Sequence, residues 1–190
     1  LPETGCSDII QGSAQRKNVI WIGKNVLRKQ FDLAATAFLK SELSLSENLI
    51  VVGQFSKNEM EKWKPYPNVI FRGQLKRHEV LIELSKSRAL LFTSVHEGNP
   101  HVVYEAITTH TPVLCHDCFG MGHLINDAVG IKVAVKNPEY SLQQFTNAID
   151  ELKNSTFSAE AFEKLHDCNS WEARIAQLCE IYERCLTNGK

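Results

Sequence analysis

Residues 89–116 read ALLFTSVHEGNPHVVYEAITTHTPVLCH. The apolar run 89–94 predicts a strand, the amphipathic stretch 100–110 predicts a helix, and the run 112–116 predicts a second strand. Both runs are apolar almost without interruption, which is typical of strands that are covered on both faces. The stretch therefore predicts a β–α–β unit with two parallel strands and a right-handed crossover.

The same alternation of short apolar runs and amphipathic stretches continues on both sides of this unit. Further strands are predicted at 18–23, 49–53, 68–73 and 130–133, and further helices at 31–40, 58–63, 77–87 and, weakly, 123–127. Alternation at this spacing predicts an α/β fold, a Rossmann-like parallel sheet of about six strands with helices on both faces.

After Val133 the pattern becomes helical. Residues Ser141 to Gln144 have the form of a capping box, so C-terminal helices are expected from about residue 141. The last helix carries apolar side chains at spacings of three and four, namely Trp171, Ile175, Leu178, Tyr182 and Cys185. Such a stripe must pack against something, either the sheet of the same domain or a neighbouring domain.

The composition is that of an ordinary globular domain. The chain has 190 residues, with 21 Lys and Arg against 22 Asp and Glu, and 43% of its residues are hydrophobic. These values exclude a disordered tail, a collagen-like repeat and a coiled coil. No apolar run approaches the ~20 residues that a membrane helix needs. Because no block of Lys and Arg is present, binding to nucleic acid or to an anionic membrane surface is not expected. Direct membrane insertion is not expected either, because nothing in this segment is lipophilic enough.

The six cysteines do not predict a disulfide framework, because they are sparse and four of them fall in predicted strands or helices. No signal peptide opens the chain, so a cytoplasmic location is expected. The run from Cys115 to Cys118 contains His and Asp, but it lacks a second ligand pair at zinc spacing. Cys115 is better explained as a buried strand residue, and no metal is expected.

The loop after the strand 89–94 carries the most informative polar residues. Asn99 suits the N-cap and Pro100 the first position of the following helix. Glu97 then lies just before the helix, and Glu105 lies ~7–8 Å along its axis at ~1.5 Å per residue. The two carboxylates can contact two parts of one elongated ligand, and vicinal sugar hydroxyls are natural partners for them. Alternatively, Glu97 merely complements the helix dipole and Glu105 is solvated.

The residues around these carboxylates resemble the Glu-x7-Glu signature of retaining GT-B glycosyltransferases, in particular glycosyltransferase family 4. The match is carried by Ser94, Glu97, Gly98, Pro100, Glu105 and Ala106. The resemblance implies that Glu97 contacts the donor sugar and Glu105 the ribose of the nucleotide. It also implies that Gly98 and Asn99 offer backbone amides to the sugar and the diphosphate.

A second stretch, from Gly23 to Gln30, resembles the Gly-Arg-x4-Lys-Gly motif of the same family. Lys24 stands at the Arg position and Lys29 at the Lys position, while Gln30 replaces the final Gly. In the family these cations hold the diphosphate and stabilise the leaving group, whose negative charge grows as the anomeric bond breaks. Lysine supplies that charge without the bidentate fork of arginine.

Weaker correspondences follow two other strands. Gly73 and Leu75 stand where the family holds the nucleobase, and Phe119 opens a loop in which His123 replaces the usual Glu. The resemblance thus implies three catalytic residues, Glu97, Lys24 and Lys29. It implies eight donor-binding residues, namely Gly23, Gly73, Leu75, Ser94, Gly98, Asn99, Pro100 and Glu105.

The resemblance covers the chain as the second half of a GT-B fold. It divides the chain into an interdomain linker at 1–17 and a nucleotide-sugar-binding domain at 18–190. The implied partners are a nucleoside-diphosphate sugar and an absent N-terminal domain that binds the acceptor. The implied reaction transfers the sugar to a hydroxyl acceptor with retention, without a cofactor or a required metal. The enzyme would be cytoplasmic, or peripheral at the inner face of the membrane through the absent domain, and would serve polysaccharide biosynthesis.

Other functions on this fold stay open. One is a non-catalytic sugar-nucleotide-binding or assembly module, and a lesser one is an epimerase. A nicotinamide-binding domain is disfavoured because the first turn, which starts at Gly23, lacks Gly-x-Gly-x-x-Gly.

Overall fold

A computed structural model of the chain describes residues 16–97 and 100–188. Six strands form one parallel sheet in the order β3-β2-β1-β4-β5-β6. They are β1 (Val19–Ile22), β2 (Leu49–Val52), β3 (Val69–Gly73), β4 (Ala89–Phe92), β5 (Val113–His116) and β6 (Gly130–Val133). The predicted α/β fold with six parallel strands is confirmed. Residues 1–15 of the predicted linker lie outside the described residues, as do Gly98 and Asn99.

Helices connect and follow the strands. They are α1 (Phe31–Lys40), α2 (Lys57–Glu61), α3 (Arg77–Lys86), α4 (His101–Thr108), α5 (Phe119–Leu124), α6 (Pro138–Glu151), α7 (Ala159–Cys168) and α8 (Trp171–Asn188). Two 3-10 turns, at Leu27–Lys29 and Glu42–Leu45, precede and follow α1.

Several helix boundaries differ from the prediction. α6 begins at Pro138 rather than near residue 141, because Asn137 caps it by accepting a hydrogen bond from the Tyr140 amide, with Pro138 at the first position. Ser141 is therefore a buried residue inside the helix. α5 begins at Phe119, four residues before the predicted stretch 123–127, and ends inside that stretch at Leu124, because the backbone is extended at Ile125. α2 starts one residue early, since Ser56 forms a capping box with Glu59.

The apolar core has two layers, one on each face of the sheet. Along β1, Val19 and Trp21 point into one layer and Ile20 into the other. The first layer is closed by α1 and α6, which contribute Phe38 and Phe145. The second is closed by α3, α4 and α7. Burial of alternate side chains on opposite faces explains why the strands are apolar almost without interruption.

The C-terminal helix α8 is the exception to this burial. It contacts α7, but its apolar stripe is open to solvent, from Trp171 at 37% exposure to Tyr182 at 67%. Within the described residues the sheet of the same domain does not cover the stripe. No helix in 16–97 or 100–188 combines the length and the apolarity needed to cross a bilayer.

Candidate functional site

The strand order places a crevice at the carboxyl ends of β1 and β4. These two strands are neighbours, and the crossovers on either side of them run in opposite directions across the sheet. The segments 23–30 and 93–97, which follow the two strands, therefore meet at one edge. Ligands of open parallel sheets bind at such a switch point.

Backbone-to-backbone contacts hold the neighbouring strand ends together. The Gly23 amide donates to the Val52 carbonyl at 2.9 Å, and the Gly53 amide donates to the Gly73 carbonyl at 2.8 Å. Gly53 has a φ of +144°, and a Cβ there would lie 1.7 Å from the carbonyl oxygen of Gly23. Two predicted site residues, Gly23 and Gly73, thus lie at the same edge of the sheet. Half-buried Leu75 follows and packs against the second core layer.

Buried hydroxyls attach the 3-10 turn to the end of β4. The Thr93 hydroxyl donates to the carbonyl of Lys29 at 2.8 Å and accepts from the indole of Trp21 at 3.3 Å. The Ser94 hydroxyl lies 3.2 Å from the carbonyl of Arg28. These bonds fix the backbone of the turn against β4, so that its two cationic side chains extend over the crevice.

Lys29, Arg28 and Ser94 converge on the carboxylate of Glu97. The Lys29 ammonium lies 2.6 Å from Oε1, and both side chains are 15% exposed. The Arg28 guanidinium pairs with the same oxygen, and the Ser94 hydroxyl donates to it at 3.0 Å. Burial by itself raises the pKa of Glu97, but the hydrogen bond and charge of Lys29, with Ser94 and Arg28, bring the pKa below its usual range.

This balance predicts that the variant Lys29→Met raises the pKa of Glu97. Because the pKa of Glu97 is lower in the folded chain than in the unfolded chain, ionised Glu97 stabilises the folded state at pH values above its unfolded pKa. This stabilisation is lost as the pH falls through the pKa of the folded state. Carboxyl 13C NMR titration measures the change, and Lys40→Met, at the exposed end of α1, is the control. An unchanged Glu97 titration in Lys29→Met would show that the ammonium does not hold this carboxylate.

Glu105 is the fifth residue of α4 and contacts the neighbouring helix α3. Its carboxylate is 3.3 Å from the Arg77 guanidinium at the start of α3, which follows the Gly73 loop. Burial raises the pKa of Glu105, and the charge and hydrogen bond of Arg77 and the charge of His101 offset only part of that rise. The side chain is therefore a half-buried acceptor rather than the solvated residue of the alternative interpretation.

The beginning of α4 differs from the prediction by one residue. Pro100 occupies the cap position with an extended ψ of 104°, and the helix starts at His101. The predicted roles of Gly98 and Asn99 fall on positions outside the described residues. Glu105 nevertheless lies inside α4, as predicted, at the fifth residue of the helix.

The two cations predicted for this site are placed differently. Lys29 lies inside the cluster, whereas Lys24 is exposed and takes part in none of the ion pairs found in 16–97 and 100–188. Arg28, which the motif comparison does not select, supplies the second positive charge at Glu97. The sequence indicates a role for Arg28 only through its position next to Lys29.

The segment from β5 to α5 carries an exposed aromatic ring and a buried thiol. Phe119 has a left-handed φ of 48°, is 58% exposed and contacts the His96 ring edge-to-face at 4.7 Å. Cys115 is fully buried in β5, as predicted, and desolvation raises its pKa to about 12. Within the described ranges no group of three His, Cys, Asp or Glu side chains is arranged to hold a metal ion.

The fold is similar to that of solved glycosyltransferase structures. The chain is similar to the apo form of WaaB, a lipopolysaccharide outer core galactosyltransferase, with a TM-score of 0.75 at 15% identity over 94% of this chain and 53% of that chain. It is similar to the pneumococcal O-GlcNAc transferase GtfA, solved with UDP and GlcNAc, with a TM-score of 0.76 at 15% identity over 94% and 38%.

A third similar structure is WaaG, a glycosyltransferase involved in lipopolysaccharide biosynthesis, with a TM-score of 0.65 at 25% identity over 82% of this chain and 43% of that chain. The chain thus spans about half or less of the length of these proteins. Its fold is that of the C-terminal domain of GT-B glycosyltransferases. No curated protein matches the chain. A family model, described as glycosyl transferases group 1, matches residues 9–169. This match covers most of the sequence, and the chain therefore belongs to the glycosyl transferases group 1 family.

Proposed function

We propose that the chain is the donor-binding half of a retaining glycosyltransferase of family 4. The observation that carries the proposal is the cluster of Lys29, Arg28 and Glu97 at the switch point of the sheet. Two cations and one carboxylate leave a net positive charge in a half-buried crevice. That charge suits a diphosphate, and the carboxylate suits the hydroxyls of an attached sugar.

The donor is a nucleoside-diphosphate sugar that lies along the crevice. Lys29 and Arg28 contact the diphosphate, and Lys24 approaches it from solvent. Ser94, Gly23 and the amides of Gly98 and Asn99 surround the phosphates and the sugar. When the donor binds, Lys29 exchanges Glu97 for a phosphate oxygen, and the freed carboxylate accepts hydrogen bonds from the sugar.

The nucleoside extends toward β3. Glu105 accepts a hydrogen bond from the ribose, and Arg77 orients its carboxylate. Gly73 and Leu75 lie beside the pocket of the base, and Pro100 caps the helix that carries Glu105. Because the pKa of Glu105 is raised, ribose binding is expected to strengthen as this group ionises with rising pH.

The transfer breaks the bond between the anomeric carbon and the diphosphate oxygen and forms a bond to the acceptor oxygen on the same face. The acceptor hydroxyl gives its proton to the departing diphosphate. Lys29 and Arg28 stabilise the negative charge that develops on this leaving group. No covalent enzyme intermediate, cofactor or metal is part of this proposal.

The acceptor site belongs to a preceding N-terminal half. Two observations support this partner: the chain spans 53% of WaaB, and the apolar stripe of α8 is uncovered in the described part of the chain. Residues 1–17 would connect the two halves, and any peripheral contact with the cytoplasmic face of a membrane would come from the preceding half. The proposal includes a biosynthetic role in surface polysaccharides, which is supported by the similarity to WaaB and WaaG, two glycosyltransferases of lipopolysaccharide.

The test is a transfer assay on the protein that carries both halves, with UDP-, GDP- and ADP-sugars as donors. Release of one nucleoside diphosphate, with a product of retained anomeric configuration, supports the proposal. The non-catalytic module would bind the donor without turnover, so binding without release assigns the alternative function.

A further inference from the structure

We infer that the opposite edge of the sheet holds a second ligand site, which takes a small organic anion with an apolar ring. A cavity of about 290 Å³ lies where the chain enters β4 and β5. Its volume is near the lower end of the range of small-molecule sites. It is lined by Arg16, Arg88, His110, Pro112, Leu152, Ser155, Phe157, Ala159 and Phe162.

The Arg16 guanidinium brings a positive charge to the cavity. It donates to the carbonyls of Ser87 and Thr109 at 3.2 and 2.6 Å and to the Thr111 hydroxyl at 2.9 Å. All three acceptors are neutral, and none of the ion pairs among residues 16–97 and 100–188 includes Arg16. A half-buried cation of this kind is stabilised by an anion that enters the cavity.

The neighbouring Arg88 does not share this property. It binds Glu47 through two guanidinium nitrogens, and its charge is thereby neutralised. The net positive charge of the cavity wall therefore comes from Arg16, which fixes where the anionic group of the ligand would lie.

His110 brings a buried ring nitrogen to the same cavity. Its Nε2 atom is buried and has no hydrogen-bond partner within the described residues. Its ring is stacked on Phe162 at a centroid distance of 5.3 Å, and its backbone has a left-handed φ of 53°. An unpaired buried ring nitrogen is unfavourable, and a polar atom of a bound ligand would pair it.

Apolar side chains complete the lining of the cavity. Leu152, Phe157 and Phe162 belong to the segment that joins α6 to α7 or to its ends, and Phe162 lies directly against the His110 ring. A free phosphate ion can pair with Arg16 but makes no apolar contact with these side chains. A ring that bears one carboxylate or phosphate monoester can contact both Arg16 and the apolar part of the lining.

This site is separate from the proposed donor site. Arg88 and Pro112 directly precede β4 and β5, whereas Glu97 follows β4 at the other end of the sheet. A ligand there cannot be the transferred sugar nucleotide held by Lys29, and the site stands whether or not the donor proposal holds.

The probe is phenyl phosphate, titrated into the 190-residue chain and followed by amide chemical shifts. Benzoate reports the carboxylate form of the same chemistry, and neutral benzyl alcohol tests the need for charge. Lys29→Ala serves as the background, because phosphate could also enter the donor crevice. We expect saturable shifts at 109–111 and 155–162, and an affinity about tenfold or more lower in Arg16→Gln.

Two variants keep this test interpretable. Arg16→Gln removes bonds to the backbone, so Ser155→Phe provides a second test by filling the cavity without touching Arg16. Arg184→Gln, on exposed α8, is the matched control and should bind as the parent does. The inference is overturned if the shifts are absent, if benzyl alcohol binds as tightly as phenyl phosphate, or if folded Ser155→Phe binds unchanged.

Discussion

Replacing Lys29 by alanine, in the protein that carries both halves of the fold, is expected to lower the rate of sugar transfer about 100- to 1,000-fold. The ammonium is 15% exposed and its backbone is fixed by the Thr93 hydroxyl, so it stabilises charge in a preorganised position. Loss of one such group removes stabilisation of the leaving diphosphate, and neighbouring Arg28 replaces it only in part. Steady-state kinetics with the sugar nucleotide measure the change.

Two comparison variants sharpen this experiment. Lys40→Ala removes an exposed lysine at the other end of α1 and should leave the rate unchanged. Lys29→Arg keeps the charge and should retain more activity than alanine. A rate for Lys29→Ala within threefold of the parent would mean that this lysine does not act on the diphosphate.

Replacing Gly53 by alanine is expected to lower the free energy of unfolding by about 3 kcal/mol or more. Its φ of +144° is unsuited to an L side chain, and the new Cβ would lie 1.7 Å from the backbone oxygen of Gly23. Backbone must shift to relieve this contact, so β1 and β2 separate at the edge that carries the site. Urea denaturation measures the loss.

Gly73→Ala is the matched control for this glycine. It also has a positive φ, of +70°, but a Cβ there meets nothing within 4 Å. It should lose only about 1–2 kcal/mol, the cost of the left-handed backbone. Equal losses in the two variants would contradict the close approach of Gly53 to Gly23.

The strands could be predicted from the sequence because burial on both faces leaves continuous apolar runs. Val19 and Ile20 enter opposite core layers, and the run around them is apolar for that reason. Helix starts were less certain because several polar residues can cap. In α6 the N-cap is Asn137, followed by Pro138, and not Ser141. The periodicity of the apolar residues does not distinguish between such capping residues.

The candidate site depended on strand order, which the local pattern does not contain. Lys29 and Glu97 are 68 residues apart and meet because β1 and β4 are neighbours. Their predicted proximity came from the resemblance to known motifs. Arg28 was not among the predicted site residues because the motif has no cation at its position. The cavity of Arg16 and His110 also joins distant segments, so no sequence pattern indicated it.

The central claim is that the carboxyl edge of the sheet binds a nucleoside diphosphate. The direct measurement is calorimetric titration of the chain with UDP, GDP and ADP, repeated on Glu105→Ala and on the exposed-site control Glu180→Ala. We expect one nucleotide to bind, the control to be unchanged, and Glu105→Ala to bind about 10- to 100-fold more weakly, as for a lost charged hydrogen bond. If none of the three binds, either to the folded chain or to the protein with both halves, the claim is contradicted.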